Sequence, residues 1–322
     1  MRADRRGAGL SSSRAGAAAR LAAAVLPLIA LCSGIGAAVA GGVGAIAGLA
    51  VAAVVLAVVG AYCDRLALSA MAARPVSEVE HPELYRLVRE LSKGGRLPVP
   101  RLFLSPAEQP NSFAVGRNPR SAAICCTEGL LASLDEAELR GVLGHELAHV
   151  SGRDILPATV SAGLAAVITF PAGLARLLPV RAAPVPAPSP APASSPAPAS
   201  SAATAPTPAS SGLGVVEASL MLVLGPVAAL VIRLSVTRQR EYRADTAGAL
   251  LAGDPVALAG ALRKIEAGVA ELALAPDARL SSVAHLMIAS PFRPEGFARL
   301  FATHPPLGER LRRLEALAGY RR

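Results

Sequence analysis

The amino-acid sequence predicts a mainly α-helical integral membrane protein with a small β-sheet and four membrane-spanning helices. Three observations lead there. Apolar residues make up 52% of the chain while aromatic residues supply only 3%, with no Trp. That content is mostly Ala, Leu and Val, which suits helices better than β-sandwiches. No charged residue occurs between Leu21 and Cys63, and long apolar runs return at 155–178 and 212–232.

The first run is too long for one crossing and fits two. Dividing it at Gly41, Gly42 and Gly44 leaves about twenty residues on each side, the length a hydrocarbon core requires. A cleaved signal peptide would also carry Arg before an apolar stretch, but the second apolar run begins almost at once and argues against it. The fourth run contains Pro226 and Glu217, and the carboxylate stands within two turns of the outer end, where it can snorkel. Orientation follows from the cations. Arg2, Arg5, Arg6, Arg14 and Arg20 precede the first span and Arg65 and Arg74 follow the second. Arg153 precedes the third, and Arg233, Arg238, Arg240 and Arg243 follow the fourth. The positive-inside bias places both termini and all soluble parts in the cytoplasm of a bacterium, with the chain multi-pass in its inner membrane.

This divides the chain into a basic N-terminus (1–20), a transmembrane hairpin (21–63), a first soluble part (64–154), a third span (155–178), a linker (179–211), a fourth span (212–232) and a second soluble part (233–322). The linker is nearly all Pro, Ala, Ser and Thr, a composition that buries no core and forms an extended spacer. The net charge of +9 does not point to nucleic acid, because no basic stretch is studded with aromatics to stack bases. Flanking the membrane explains those cations more simply. The four cysteines form no disulfide framework: Cys32 and Cys63 lie in apolar segments, and Cys125 and Cys126 are adjacent. They read as small buried apolar residues.

In the first soluble part, Leu84, Leu87, Val88 and Leu91 line one face of a helix beginning at Pro82 and stopped by Gly94 and Gly95. Arg101–Ser105 and Ser121–Cys126 read as strands. Ser133 and Glu136 form an S-x-x-E capping box that opens a helix through Val150.

That helix carries Gly-His145-Glu146-Leu-Ala-His149. Residues four apart lie about 40° from each other round a helix, so the two imidazoles project together and can grip one ion. Glu146 points about 100° away from His145, beside the ion rather than onto it. Zinc acidifies water, and a carboxylate so placed can take the proton as that water attacks a peptide carbonyl. A third ligand is needed, and Glu241 is the candidate, just beyond the fourth apolar run. Asp245, one turn later, would accept the free N–H of His145. The bland alternative is two surface histidines beside an ordinary solvated glutamate.

The wider pattern resembles the HtpX-type membrane metallopeptidases, gluzincins that use two His and a Glu. The resemblance covers most of 81–178 and 213–316. It is carried by Asn111-Ser-Phe-Ala-Val-Gly-Arg-Asn-Pro119, Thr127-Glu-Gly-Leu-Leu131, Leu143-Gly-His-Glu-Leu-Ala-His149 with Arg153-Asp154, Glu241-Tyr-Arg-Ala-Asp245, and Thr303-His-Pro-Pro306 with Glu309-Arg310. It implies a zincin-like cytosolic domain with one Zn2+ held by His145, His149 and Glu241, and Glu146 as general base. It also implies an edge strand at Asn111, Phe113 and Ala114 that holds an extended substrate by strand addition. Asn111 reads equally as a turn residue after Pro110. His304 and Arg310 would stabilise the tetrahedral oxyanion; a helix start at Pro305 and Pro306 is the plainer reading of that motif. His81 and His285 read as structural. The long Pro/Ala linker departs from the family, and the first two spans match it in hydropathy alone.

The expected activity is hydrolysis of peptide bonds in misfolded or damaged membrane proteins. Two rivals differ in kind: a protease trimming the C-termini of lipidated proteins, and a non-catalytic zinc-binding membrane scaffold.

Overall fold

The structure is a computed structural model and describes residues 4–152, 154–175, 215–293, 295–301 and 304–319. Most of the proposed linker lies outside the described residues, as does the side chain of Glu217. In chain order the elements are α1 (Asp4–Ala70), β1 (Arg74–Pro75), α2 (Pro82–Gly95), β2 (Arg101–Ser105), β3 (Ser112–Val115), β4 (Ala123–Thr127), α3 (Glu128–Ser133) and α4 (Glu136–Ser151). They continue with α5 (Ile155–Ala175), α6 (Val215–Ser235), α7 (Arg238–Ala252), α8 (Pro255–Glu271), α9 (Ala278–Val283) and α10 (Leu307–Gly319). The chain is mostly helical with one small mixed sheet.

α1 is a hairpin. Its helical dihedrals break at Ala40 (φ −141°) and Gly41 (φ +60°), inside the glycine cluster where the sequence divides. Glycine alone takes that left-handed value without strain. Below the break the two arms press backbone to backbone. A Cβ on Gly36 would lie 1.9 Å from the Gly44 oxygen, and one on Gly48 would lie 2.1 Å from that of Cys32. Small residues at such a seam replace the hydrophobic drive that lipid does not provide.

Among the described residues two helices are long and apolar enough to cross a membrane, Ala18–Ala70 and Ile155–Leu174, or three if Ser219–Ser235 and Arg238–Ala252, bent by 52°, count as one span. Of the four expected spans, α1 with its two arms and α5 meet this test, and α6 does so only together with α7. Only 17% of the most apolar window of α1 is buried, against 67% for α5, so α1 is the part left bare for lipid. α5 packs against α1 and α6, with Gly163 on Val59 and Cys63, and then leans on α9. There Thr169 Oγ1 donates to the Ala278 carbonyl at 3.1 Å. Protein rather than lipid encloses much of α5.

The sheet runs β1-β2-β4-β3, with β2 and β4 parallel and the other pairs antiparallel. Both faces are covered. Leu102, Leu104, Ala114, Ile124 and Cys126 face a core shared with α2, α4, α8 and α10. Phe113, Val115, Ala123 and Cys125 face Leu68, Met71, Ala158 and Ala162 at the root of the membrane helices. Adjacent cysteines on one strand necessarily point to opposite faces, which rules out a bridge between them. Cys32 is half-buried and the other three cysteines are buried; burial pushes the Cys126 thiol up to about 12.

The sequence places the opening of α4 two residues early. The capping box is Asp135 with Glu138, while Ser133 ends α3 and donates to the Gly129 carbonyl. Both pairs satisfy the pattern, but Ser133 is already committed to the preceding turn. α2 likewise runs through both glycines and caps at Arg96 in the left-handed region.

Candidate metal centre

The site forms where α4 crosses α7. Gly144 and Gly248 allow the approach: a Cβ on Gly248 would lie 2.5 Å from the His145 nitrogen, and one on Gly144 would lie 2.7 Å from the Gly248 oxygen. At that crossing His145 and His149 of α4 meet Glu241 of α7. The two imidazole Nε2 atoms are 3.2 Å apart. Glu241 Oε2 is 3.9 Å from His145 Nε2, and Oε1 is 3.7 Å from His149 Nε2. One atom from each of the three lies within 4.8 Å of the others, and all three side chains are buried.

The electrostatics suit a cation. Burial holds His149 well below the usual imidazole range, so it is neutral and its lone pair is available. Burial alone would raise Glu241, but His149, His304 and Arg240 together carry its carboxyl well below the usual range. Two imidazole nitrogens and a carboxylate are the donor set of a divalent site.

Asp245 Oδ1 stands 3.0 Å from His145 Nδ1, on the far side of the ring from the cluster, although the N–H does not point squarely at it. Arg310 grips the same carboxylate with two hydrogen bonds, Nε to Oδ2 at 2.8 Å and Nη2 to Oδ1 at 2.7 Å. Burial would raise the Asp245 carboxyl, yet Arg310 and His145 bring it down to about 2. The third Arg310 donor, Nη1, goes to the Ile288 carbonyl at 2.9 Å. This corrects the expectation that Arg310 meets an oxyanion: its three hydrogen bonds go to Asp245 and to backbone, and it braces the metal-facing helix instead.

His304 does come to the cluster, with Nδ1 3.5 Å from Glu241 Oε2. Neither ring nitrogen has a hydrogen-bond partner among the described residues, and a cavity of 180 Å³ lined by Ile288, Ser290, His304 and Arg310 opens beside it. Glu146 is buried, and its Oε1 accepts from Ser112 Oγ at 2.6 Å. Burial pushes its carboxyl up, against the pull of His145 and of that hydrogen bond.

The expected substrate edge is corrected in part. β3 is the edge strand, but Asn111 spends its amide on its own chain, donating from Nδ2 to the Ala289 carbonyl at 3.0 Å. Phe113 is buried in the core and bridges Met287 through its backbone. The Ile288 N–H donates to the Ser112 carbonyl at 2.9 Å. Ala114 turns its side chain into the core shared with α2, α4, α8 and α10, and beyond it the Gly116 N–H donates to Thr159 Oγ1. The segment that closes the edge comes from 287–289, distant in sequence. His285 is buried, with Nε2 3.0 Å from Ser161 Oγ.

Sequence reasoning missed Ser112, Arg240 and the two glycines. Gly248 had a signal, since it stands seven residues after Glu241 and so on the same helical face. Arg240 is buried, with Nη2 3.5 Å from Glu241 Oε1.

The profile of peptidase family M48 matches residues 78–318. The "Protease HtpX homolog" of Kineococcus radiotolerans is 51% identical over 257 residues, 80% of each chain. Those of Paenarthrobacter aurescens (47% over 256 residues, 80% of this chain and 79% of the relative) and Thermococcus kodakarensis (39% over 257 residues, 80% and 81%) are also similar. The match spans every residue of the α4–α7 cluster, its Asp245–Arg310 brace and the strand beside it, and on that ground the chain belongs to peptidase family M48, as a metalloprotease of the HtpX type.

Proposed function

We propose that the chain is a membrane-bound zinc endopeptidase that cleaves misfolded or damaged membrane proteins on the cytoplasmic side. The observation that carries this is the convergence of His145, His149 and Glu241 with a buried Glu146 beside them. His145, His149 and Glu241 would hold the ion, which supplies Lewis acidity when bound. Glu146 takes a proton from the attacking water and delivers it to the leaving amine, while the hydroxyl adds to the carbonyl carbon and the C–N bond breaks. His304, close to Glu241, donates to the developing oxyanion. Asp245 fixes the His145 ring, and Arg310 fixes Asp245.

The bare apolar hairpin α1 anchors the catalytic part at the bilayer, and α5 and α6 seat against its inner end. Arg20, at the entry of the first arm, pairs with Asp154 at 2.6 Å just after the metal-bearing helix. A site held that close to lipid supports membrane proteins as substrates over freely soluble ones. The Arg residues flanking the apolar runs support a cytoplasmic orientation.

The test is Glu146→Gln in detergent-solubilised full-length protein. It should bind metal at wild-type stoichiometry and lose casein cleavage by roughly a thousandfold or more. Wild-type cleavage by this variant removes Glu146 as the base.

A further inference from the structure

The peptidase chemistry leaves Ser112 without a role, yet it is the residue that touches the Glu146 carboxylate. It is fully buried in β3. Its Oγ donates to Glu146 Oε1 at 2.6 Å, and among the described residues no second hydrogen-bond donor reaches that carboxylate. A glutamate has three side-chain torsions, and one short hydrogen bond to a fixed strand removes much of that freedom.

The strand holding the hydroxyl is itself pinned. The Ser112 N–H donates to Asn111 Oδ1 at 3.2 Å, and its carbonyl accepts from the Ile288 N–H at 2.9 Å. The Ile288 carbonyl accepts from Arg310, Arg310 grips Asp245, and Asp245 faces the His145 ring. A continuous set of buried contacts therefore leads from the ring of one histidine to the carboxylate of the next residue along α4. A buried serine needs only one partner and commonly finds it in a nearby carbonyl; this one reaches a carboxylate 34 positions away.

We infer that Ser112 is a positioning residue for Glu146: its hydroxyl holds Oε1, fixing the carboxylate so that Oε2 receives the proton of the attacking water and passes it to the leaving amine. The inference rests on the reading of Glu146 as general base.

Ser112→Ala, Ser112→Thr and Glu146→Gln are compared as full-length protein on a fluorogenic peptide, with metal content and melting temperature measured on each. Ser112→Ala should lower kcat roughly 10- to 100-fold with KM within about twofold and metal stoichiometry unchanged, as expected for a misplaced catalytic group. Ser112→Thr, which keeps the hydroxyl and suits a strand, should recover most of that loss. A second readout needs no activity: in metal-free protein, the melting-temperature loss from Ser112→Ala should largely vanish in a Glu146→Ala background, because the partner is gone. If Ser112→Ala keeps wild-type kcat while Glu146→Gln is inactive, the positioning role falls and the peptidase reading stands. Additive melting losses overturn it as well. If Glu146→Gln is active, the base assignment itself falls and the inference with it.

Discussion

Asp245 carries two loads, a histidine ring 3.0 Å away on one side and a bidentate guanidinium on the other. The two can be separated by mutation. Asp245→Asn keeps the size and loses the charge; metal affinity should fall roughly 10- to 100-fold by competitive chelation, the usual effect of disturbing a partner behind a ligand. Arg310→Met instead leaves a buried carboxylate without its cation, and a melting curve should show about 3–5 kcal/mol of lost stability. An oxyanion role for Arg310 would give the opposite pattern, an intact fold with low kcat. The spacing of His145, Glu146, His149, Glu241 and Asp245 was legible because each pair sits on one helix, where the turn fixes direction. The role of Ser112 and the partner of Arg310 were not, because they come from other elements: no sequence rule names which distant residue a buried side chain will meet.

Among the elements, the α4–α7 crossing decides whether a site exists at all. Gly248→Ala would drive a Cβ to 2.5 Å from the His145 nitrogen, and neither backbone can yield without moving a ligand. The expected result is a loss of about 1–3 kcal/mol and weaker metal binding, measured together by melting with and without added zinc. Gly308→Ala is the control: it stands in α10 with nothing within 4 Å and should be neutral or slightly stabilising. The helices α2 and α4 and the strands β2 and β4 were legible from pattern and cap signals, with ends displaced by a few residues, whereas α3 was not, and β3 was implied only by the resemblance. The coverage of β3 did not follow. Alternation shows that both faces of a strand are apolar, but it does not reveal that residues 287–289 return to close the edge.

Across the whole molecule, stability should depend on acid. His285 is buried, and its ring is pushed down to about 3, chiefly by burial. An unfolded histidine titrates near 6.5. As pH falls below that value the unfolded chain takes a proton the folded ring refuses, so stability is full above about 6.5 and declines toward pH 3. The slope reaches roughly 1.4 kcal/mol per pH unit for each such group. His149 shifts in the same direction in metal-free protein. Unfolding of the metal-free protein between pH 7.5 and 4.5 should therefore steepen on acidification, and His285→Gln should flatten that dependence. An unchanged slope in the variant counts against this account. The sequence by itself determined the apolar hairpin, the presence of further long apolar runs, and the helical pair of histidines. These depend on hydropathy and on the helical repeat, both local quantities. Only the tertiary structure decided that α5 is enclosed largely by protein, that Arg310 braces Asp245, and that the edge of β3 is already partnered. Each of those depends on which distant surfaces come to share one core, and apolar composition specifies that a surface is buried without specifying against what.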